Sequence, residues 1–230
     1  MDRPIPAFAF SLFWGVLVWV FLATVCFGQE PPAAAKPLLP ILAEEIAARW
    51  PDAPDRPAFG AQVEQETCPS LISKKCWNPR TELKTSREYG FGLGQLTVTS
   101  RFNAWEETKA MDAGLRSWKW EDRYDPRLQL RALVVKDRYN FERFPPGPER
   151  MAFALAAYNG GLGGTIKDMK MCAASPPCNP NLWFGHVERT SYKAKIKVKG
   201  YGKSFFDINR EYVGNTLRVR HPRYVSFLGV

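Results

Sequence analysis

Three short stretches of the chain contain residues whose types could do chemistry. Glu66 lies near the end of the run AQVEQET, Gln95 lies in the glycine-rich run GFGLGQL, and Tyr158 and Asn159 lie in ALAAYNGG. A glutamate in apolar surroundings has a raised pKa and can act as a general acid near neutral pH. Taken singly, each stretch also has a plainer interpretation: a surface carboxylate, a tight turn and the C-cap of an alanine-rich helix.

Two features of these stretches narrow the chemistry. Glu64 lies two residues before Glu66, so on a helix it points in a roughly opposite direction and is predicted to be solvated. Gly90, Gly92 and Gly94 allow a close approach of the backbone to a ligand. They do not form G-x-G-x-x-G after an apolar strand, and no G-K-[ST] follows them. Of these two glutamates Glu66 is therefore the better candidate for an active carboxyl, although local evidence alone still favours a surface carboxylate, and a nucleotide site is disfavoured.

Taken in order, the three stretches resemble the soluble-lytic-transglycosylase family, which shares a core with goose-type lysozyme. That family has Glu followed by Ser, then Gly-Leu-Met-Gln, then Ala-Tyr-Asn-Ala-Gly. The matching residues here are Glu66-Thr67, Gly92-Leu93-Gly94-Gln95 and Ala157-Tyr158-Asn159-Gly160-Gly161. The departures are Thr for Ser, Gly for Met and Gly for Ala. The resemblance covers residues 58–165 and extends to Glu188–Tyr192, which has the Glu-x-x-x-Tyr spacing that occurs late in the family.

The resemblance implies cleavage of the β-1,4 bond between MurNAc and GlcNAc in peptidoglycan, with one Glu as acid and base and a 1,6-anhydro product. Glu66 would protonate the glycosidic oxygen and then accept a proton from the C6 hydroxyl, while the substrate's N-acetyl group assists at the anomeric carbon. Gln95 would bind the sugar, Tyr158 would orient Glu66 or the N-acetyl group, and Asn159 would steady the cleft wall. The remaining members of the implied substrate-binding set are Thr67, Gly92, Leu93 and Tyr192, and no cofactor or metal is implied.

Other functions remain open on the sequence alone. A water molecule entering the same site would make the protein a hydrolytic muramidase, for which Glu82 or Glu88 could supply a second carboxylate. A protein that keeps the fold but only binds the cell wall is the alternative from another class.

The predicted fold class is mainly α, a lysozyme-like helical domain with a basic C-terminal extension. Asp125 is predicted to cap a helix that begins with Pro126. The other predicted helices cover residues 41–50, 58–66, 96–115, 149–158 and 207–217, and residues 68–88 form a long loop. The predicted domains are a signal peptide or membrane anchor (1–28), a Pro/Ala-rich tether with a short helix (29–57), the lytic-transglycosylase domain (58–192) and a basic segment packed on it (193–230).

The N-terminus predicts export. Residues Ile5–Phe27 form a nearly uninterrupted apolar run after Arg3. This run is long enough to span a bilayer, and it ends in small residues that would suit cleavage before Gln29. We therefore expect a periplasmic protein, which would also contact the membrane if the segment is retained as an anchor.

Four cysteines follow the apolar run, and export makes disulfides the simplest use for them. The expected pairs are Cys68–Cys76 and Cys172–Cys178, the simplest of three possible connectivities. A zinc site is disfavoured, because the spacings are not C-x-x-C and the two histidines lack ligand-like spacing.

Positive charge is concentrated near the C-terminus. Residues 186–230 contain ten Lys or Arg against three acidic residues, a net +7 of the chain's +9. Such a surface favours an anionic partner. Export and disulfides argue against nucleic acid, while membrane head groups and an anionic cell-wall polymer remain open on the charge alone. The resemblance implies that the partner is the glycan of peptidoglycan, and we expect a monomer.

Overall fold

A computed structural model describes residues 30–192 and 202–229. The predicted signal or anchor segment lies outside these residues, and so do residues 193–201 at the start of the basic segment. The described chain is mostly helical, which confirms the mainly α class; the lysozyme-like core stays a prediction. No helix in the described part is long and apolar enough to cross a membrane.

The described part of the chain contains eight α-helices and three short strands. The helices are α1 (Leu39–Arg49), α2 (Pro57–Thr67), α3 (Ala104–Met111), α4 (Pro126–Phe141), α5 (Arg150–Gly160), α6 (Leu162–Ala173), α7 (Phe205–Gly214) and α8 (Val225–Leu228). The strands are β1 (Glu82–Lys84), β2 (Tyr89–Phe91) and β3 (Leu96–Val98). A π-helical stretch (Asn215–Arg220) and a 3₁₀ turn (His221–Tyr224) join α7 to α8.

Helix α5 lies at the centre of the larger core. It packs against α4, α6 and α7, and all residues from Met151 to Tyr158 are buried. The run is rich in alanine, so the neighbouring helices can approach its backbone closely. This packing places the end of α5, with Tyr158 and Asn159, between the other helices.

Local capping explains where two helices begin. Asp125 accepts a hydrogen bond from the Leu128 backbone N–H, with Pro126 in the first helical position, as predicted. Helix α7 begins with a capping box, in which Ser204 and Asp207 each satisfy the other's backbone N–H.

A small antiparallel sheet carries the glycine-rich turn. The strand order is β1-β2-β3, with Leu83 opposite Gly90 and Gly90 opposite Thr97. A second core cluster, which includes Phe91, Leu96 and the rings of two tryptophans, packs beside the sheet. The predicted helix over 96–115 is therefore wrong at its start, and the predicted loop over 68–88 contains a strand.

The part of the predicted tether from Ala35 onward is not a free linker. Ala35 and Leu39 belong to the main hydrophobic core, and α1 packs along α4. The apolar residues between the prolines are therefore part of the globular domain.

Both disulfides are present as predicted. Cys68, directly after α2, is bonded to Cys76. Cys172, in the last turn of α6, is bonded to Cys178. The first of these links the end of α2 to the loop that follows it.

Candidate active site

Helix α2 places Glu66 at the edge of a cleft. Its residues from Pro57 to Glu64 and Thr67 are buried, whereas Glu66 in the last turn is only partly buried. The Thr67 hydroxyl donates to the Val63 carbonyl at 2.6 Å and accepts from the Trp77 backbone N–H at 3.0 Å. Thr67 thus closes the helix end, and its hydroxyl is occupied by these two backbone bonds.

The cleft has a volume of about 1450 Å³ and brings together most of the predicted site. Glu66, Thr67, Gln95, Tyr158 and Asn159 all line it. Residues of α2, the sheet, α3, α4, α5 and α7 form its walls. The predicted residues that do not line this cleft are Gly92, Leu93 and Tyr192.

Glu66 has the electrostatic environment of a general acid. Burial raises its pKa, while a hydrogen bond from Tyr212 and the positive charge of Lys136 lower it, and the result is a pKa of about 7. The Tyr212 hydroxyl donates to Glu66 Oε1 at 2.6 Å. At neutral pH the carboxyl therefore exists in both its protonated and its ionised form.

Tyr158 does not orient Glu66 directly, contrary to one of the roles predicted for it. Its hydroxyl donates to the Gly94 carbonyl at 2.7 Å. A Cβ atom at Gly94 would lie 2.6 Å from this hydroxyl oxygen and 3.1 Å from Leu133 Cδ1. The space that a larger residue would need at this turn is thus filled by Tyr158 and Leu133, and glycine is required.

The turn itself is built around Gln95 and Gln129. Gln95 has φ of 43° and its Nε2 donates to the carbonyls of Gly92 and Thr81 at 2.7 and 3.1 Å. Gly92 has φ of 77°, and a Cβ there would lie within 2.8 Å of three Gln129 side-chain atoms. Gln129 Oε1 in turn accepts from the Leu93 backbone N–H at 2.9 Å. Gly92 and Leu93 therefore shape the turn, while Gln95 faces the cleft.

Asn159 is exposed on the cleft wall and is held from the C-terminal side. Its Oδ1 accepts from Asn209 Nδ2 at 3.1 Å, and the same nitrogen donates to the Ala156 carbonyl at 2.9 Å. Helix α7 therefore positions two residues of the site, Asn159 through Asn209 and Glu66 through Tyr212.

The tyrosine that reaches Glu66 is Tyr212, and Tyr192 lies elsewhere. The Tyr192 backbone N–H donates to Asp168 Oδ1, and its ring lies near Lys167. Tyr212 was not predicted from the sequence, although its i, i+4 spacing from Ile208 in the predicted helix over 207–217 was a usable signal. It also missed Lys136, which lies on α4 and lines the cleft.

Glu64 is not solvated, contrary to the prediction. It is buried, and its carboxylate accepts hydrogen bonds from Arg223 at 2.9 Å and from the Tyr224 hydroxyl at 2.8 Å. Its role is to fix the C-terminal segment against α2.

Further carboxylates line the cleft away from α2. Glu82 accepts hydrogen bonds from the hydroxyls of Tyr124 and Tyr89, which hold its pKa below the usual range and keep it ionised. Glu88 also lines the cleft. In the residues that the structure describes, no group of three or more His, Cys, Asp or Glu could hold a metal ion.

Comparison with known proteins adds no assignment. Neither a scan against models of protein families nor a search of curated proteins finds a match to this chain.

Proposed function

We propose that this protein is an exported lytic transglycosylase that cleaves the MurNAc–GlcNAc β-1,4 bond of peptidoglycan and leaves 1,6-anhydroMurNAc ends. The observation that carries the proposal is the state of Glu66: a partly buried carboxyl at the edge of a large cleft, with a pKa of about 7 and a tyrosine donating to it. The resemblance of the three motifs gives the substrate class.

A single carboxyl with this pKa suits both halves of the reaction. Protonated Glu66 gives its proton to the glycosidic oxygen as the bond to the anomeric carbon breaks. The substrate's N-acetyl oxygen stabilises the anomeric carbon. The ionised carboxylate then takes the proton of the C6 hydroxyl while that oxygen attacks the anomeric carbon, so no water is consumed and Glu66 is regenerated.

The surrounding residues would position Glu66, bind the sugars and support the glycine-rich turn. Tyr212 orients Glu66 and stabilises its ionised form by donating to Oε1. Gln95 and Asn159 line the cleft. Gln95 Nε2 already donates to two backbone carbonyls, so Gln95 would accept a sugar hydroxyl at Oε1. Asn159 would donate to the sugar from Nδ2, because its Oδ1 accepts from Asn209. Tyr158 donates to the Gly94 carbonyl. It would therefore fix the conformation of the glycine-rich turn that the sugar contacts.

Two further observations agree with an exported, wall-directed enzyme. Disulfides persist in oxidising compartments such as the periplasm. The net positive charge of residues 186–230 favours a polymer whose stem peptides carry carboxylates.

A hydrolytic muramidase is the second candidate, because Glu82 is ionised and lines the same cleft. In that case a carboxylate would activate water, and the products would have reducing ends. A protein that only binds the wall would release nothing.

Digestion of purified sacculi with mass spectrometry of the released muropeptides distinguishes these functions. We expect anhydro products from the wild-type chain, none from Glu66→Gln, and full release from Glu106→Gln, a surface glutamate that pairs with Lys109 outside the cleft. Reducing ends would replace the transglycosylase by a hydrolase. Undiminished release by Glu66→Gln would overturn the assignment of Glu66.

A further inference from the structure

Lys136 lies in an unusual position for a lysine. It projects from the middle of α4 and lines the same cleft as Glu66. Its Nζ lies 4.5 Å from the centre of the Tyr158 ring. Among the described residues, no hydrogen bond or ion pair joins this ammonium group to a protein acceptor.

The charged and titratable groups around Lys136 come from four elements. Burial lowers the pKa of Lys136, and the negative charges of Asp137 on α4, Glu66 on α2 and Glu107 on α3 oppose that lowering. Tyr158 on α5 supplies the face of its ring. Glu107 is exposed to solvent, so water screens its charge. Glu66 and Asp137 are better shielded from water, so their charges act more strongly on the Lys136 ammonium group.

Asp137, the neighbouring carboxyl on α4, is poorly placed to hold a negative charge. It is fully buried, its Oδ1 has a long contact with Gln62 Nε2 at 3.4 Å, and its Oδ2 has no hydrogen-bond partner in the described structure. Burial therefore raises the pKa of Asp137 well above its usual value. When Asp137 is neutral, the Lys136 ammonium group has no compensating charge on its own helix, and Glu66 is the remaining shielded carboxyl near it.

We propose that Lys136 is a positioning residue of the site, whose ammonium group serves as the counter-charge for the carboxylate of Glu66 after that residue has given up its proton. This inference rests on the proposed function for its role in the reaction, although the pairing itself is a property of the free protein.

The pairing has a direct chemical consequence. While Glu66 is protonated, the positive charge of Lys136 in the cleft is not compensated by Glu66. Once Glu66 is ionised, its carboxylate and the Lys136 ammonium group compensate each other. Lys136 therefore makes Glu66 a stronger acid, and it opposes the burial that would otherwise make ionisation costly. The positive charge of Lys136 indeed lowers the pKa of Glu66.

Carbon-13 NMR of carboxyl-labelled glutamate tests this pairing without substrate. The Glu66 resonance is assigned by its absence from the Glu66→Gln variant and titrated in the full-length wild-type chain and in Lys136→Met. We expect the pKa of Glu66 to rise from about 7 by about one unit in Lys136→Met, the lower end of the effect of one neighbouring opposite charge. Lys136→Arg keeps the charge and should leave the pKa near 7.

Lys75→Met is the matched control, because Lys75 lines the same cleft but is exposed. It should not move the Glu66 resonance. If Lys136→Met does not fold, titration of the Lys136 side chain in the wild-type protein decides the question. A neutral Lys136 at pH 7 would overturn the proposal, and so would an unchanged or lowered pKa of Glu66 in a folded Lys136→Met.

Kinetics on sacculi add a readout that separates positioning from substrate binding. For Lys136→Met we expect kcat to fall about tenfold at pH 6, with KM unchanged and the basic limb of the pH profile shifted to higher pH. A raised KM with an unchanged pH profile would identify Lys136 as a substrate contact and contradict the counter-charge. Failure of sacculus cleavage by the wild-type chain would defeat the proposed function but not the pairing, which the NMR titration decides alone.

Discussion

Replacing Glu66 by Gln should make the protein more stable above neutral pH, even though it removes the proposed acid. Glutamine has nearly the same shape and keeps an oxygen that can accept the bond from Tyr212. The substitution removes the ionisable carboxyl, so the folded protein no longer has to bury a negative charge at this position above neutral pH. The site would thus be maintained for function at a cost in stability.

The sign and size follow from linkage. Between pH 4.5 and about 7 the folded protein binds more protons at Glu66 than the unfolded chain does, so its free energy of unfolding falls as the pH rises. A pKa of about 7 against 4.5 corresponds to about 3 kcal/mol at 1.36 kcal/mol per pKa unit. Because the side chain is partly open to water in the cleft, we expect about 2 kcal/mol.

Urea unfolding of the full chain with intact disulfides, at pH values from 4 to 8, measures this effect. The wild-type and Glu66→Gln proteins should differ by less than about 0.5 kcal/mol at pH 4, and the variant should be more stable by about 2 kcal/mol at pH 8. A difference in the free energy of unfolding that stays constant across this range would refute the raised pKa of Glu66.

Glu82→Gln is the control with the opposite sign. The pKa of Glu82 is lowered by the hydroxyls of Tyr124 and Tyr89, so its contribution to stability is present above its unfolded pKa and is lost as the pH falls. Glu82→Gln should therefore be less stable than wild type at neutral pH, and the difference should disappear in acid.

Three further predictions concern the supports of the site. Tyr212→Phe removes the donor to Glu66 and should lower kcat on sacculi by about tenfold to a hundredfold, with the basic limb of the pH profile moved upward; an unchanged profile would contradict the assigned role. Gly94→Ala places a Cβ against the Tyr158 hydroxyl and should cost about 1–3 kcal/mol in thermal unfolding, whereas no loss would show that the turn can relax. Removal of the Cys68–Cys76 disulfide, which spans eight residues, should cost about 2 kcal/mol, and equal stability would show that it does not constrain the unfolded chain.

Local signals were sufficient for several parts of the structure. The start of α4 follows from Asp125-Pro126, because a cap and a proline act within one helical turn. The two disulfides close short loops, so their pairing was readable from spacing. The strands were missed because each has only three residues, too few for an alternating pattern to stand out.

The partners of Glu66 were beyond local signals. Tyr212 lies 146 residues away in the chain, and its approach to Glu66 depends on how α7 packs against α5. No periodicity in either stretch encodes that contact. The motif resemblance could place Glu66 in a site, but it could not say which tyrosine serves it.

The contrast between Glu64 and Glu66 shows what distinguishes a structural carboxyl from a chemical one. Both lie on the same turn of α2, and both are contacted by the C-terminal segment. Glu64 is enclosed by two arginines and a tyrosine, so its carboxylate is paired with positive charge. Glu66 receives one neutral hydroxyl from Tyr212 and the more distant charge of Lys136, which is enough to permit ionisation but too little to enforce it. The C-terminal segment therefore fixes α2 through Glu64 and leaves Glu66 able to exchange its proton. This difference depends on residues 146 and 159 positions away in the chain, so the sequence of α2 alone does not encode it.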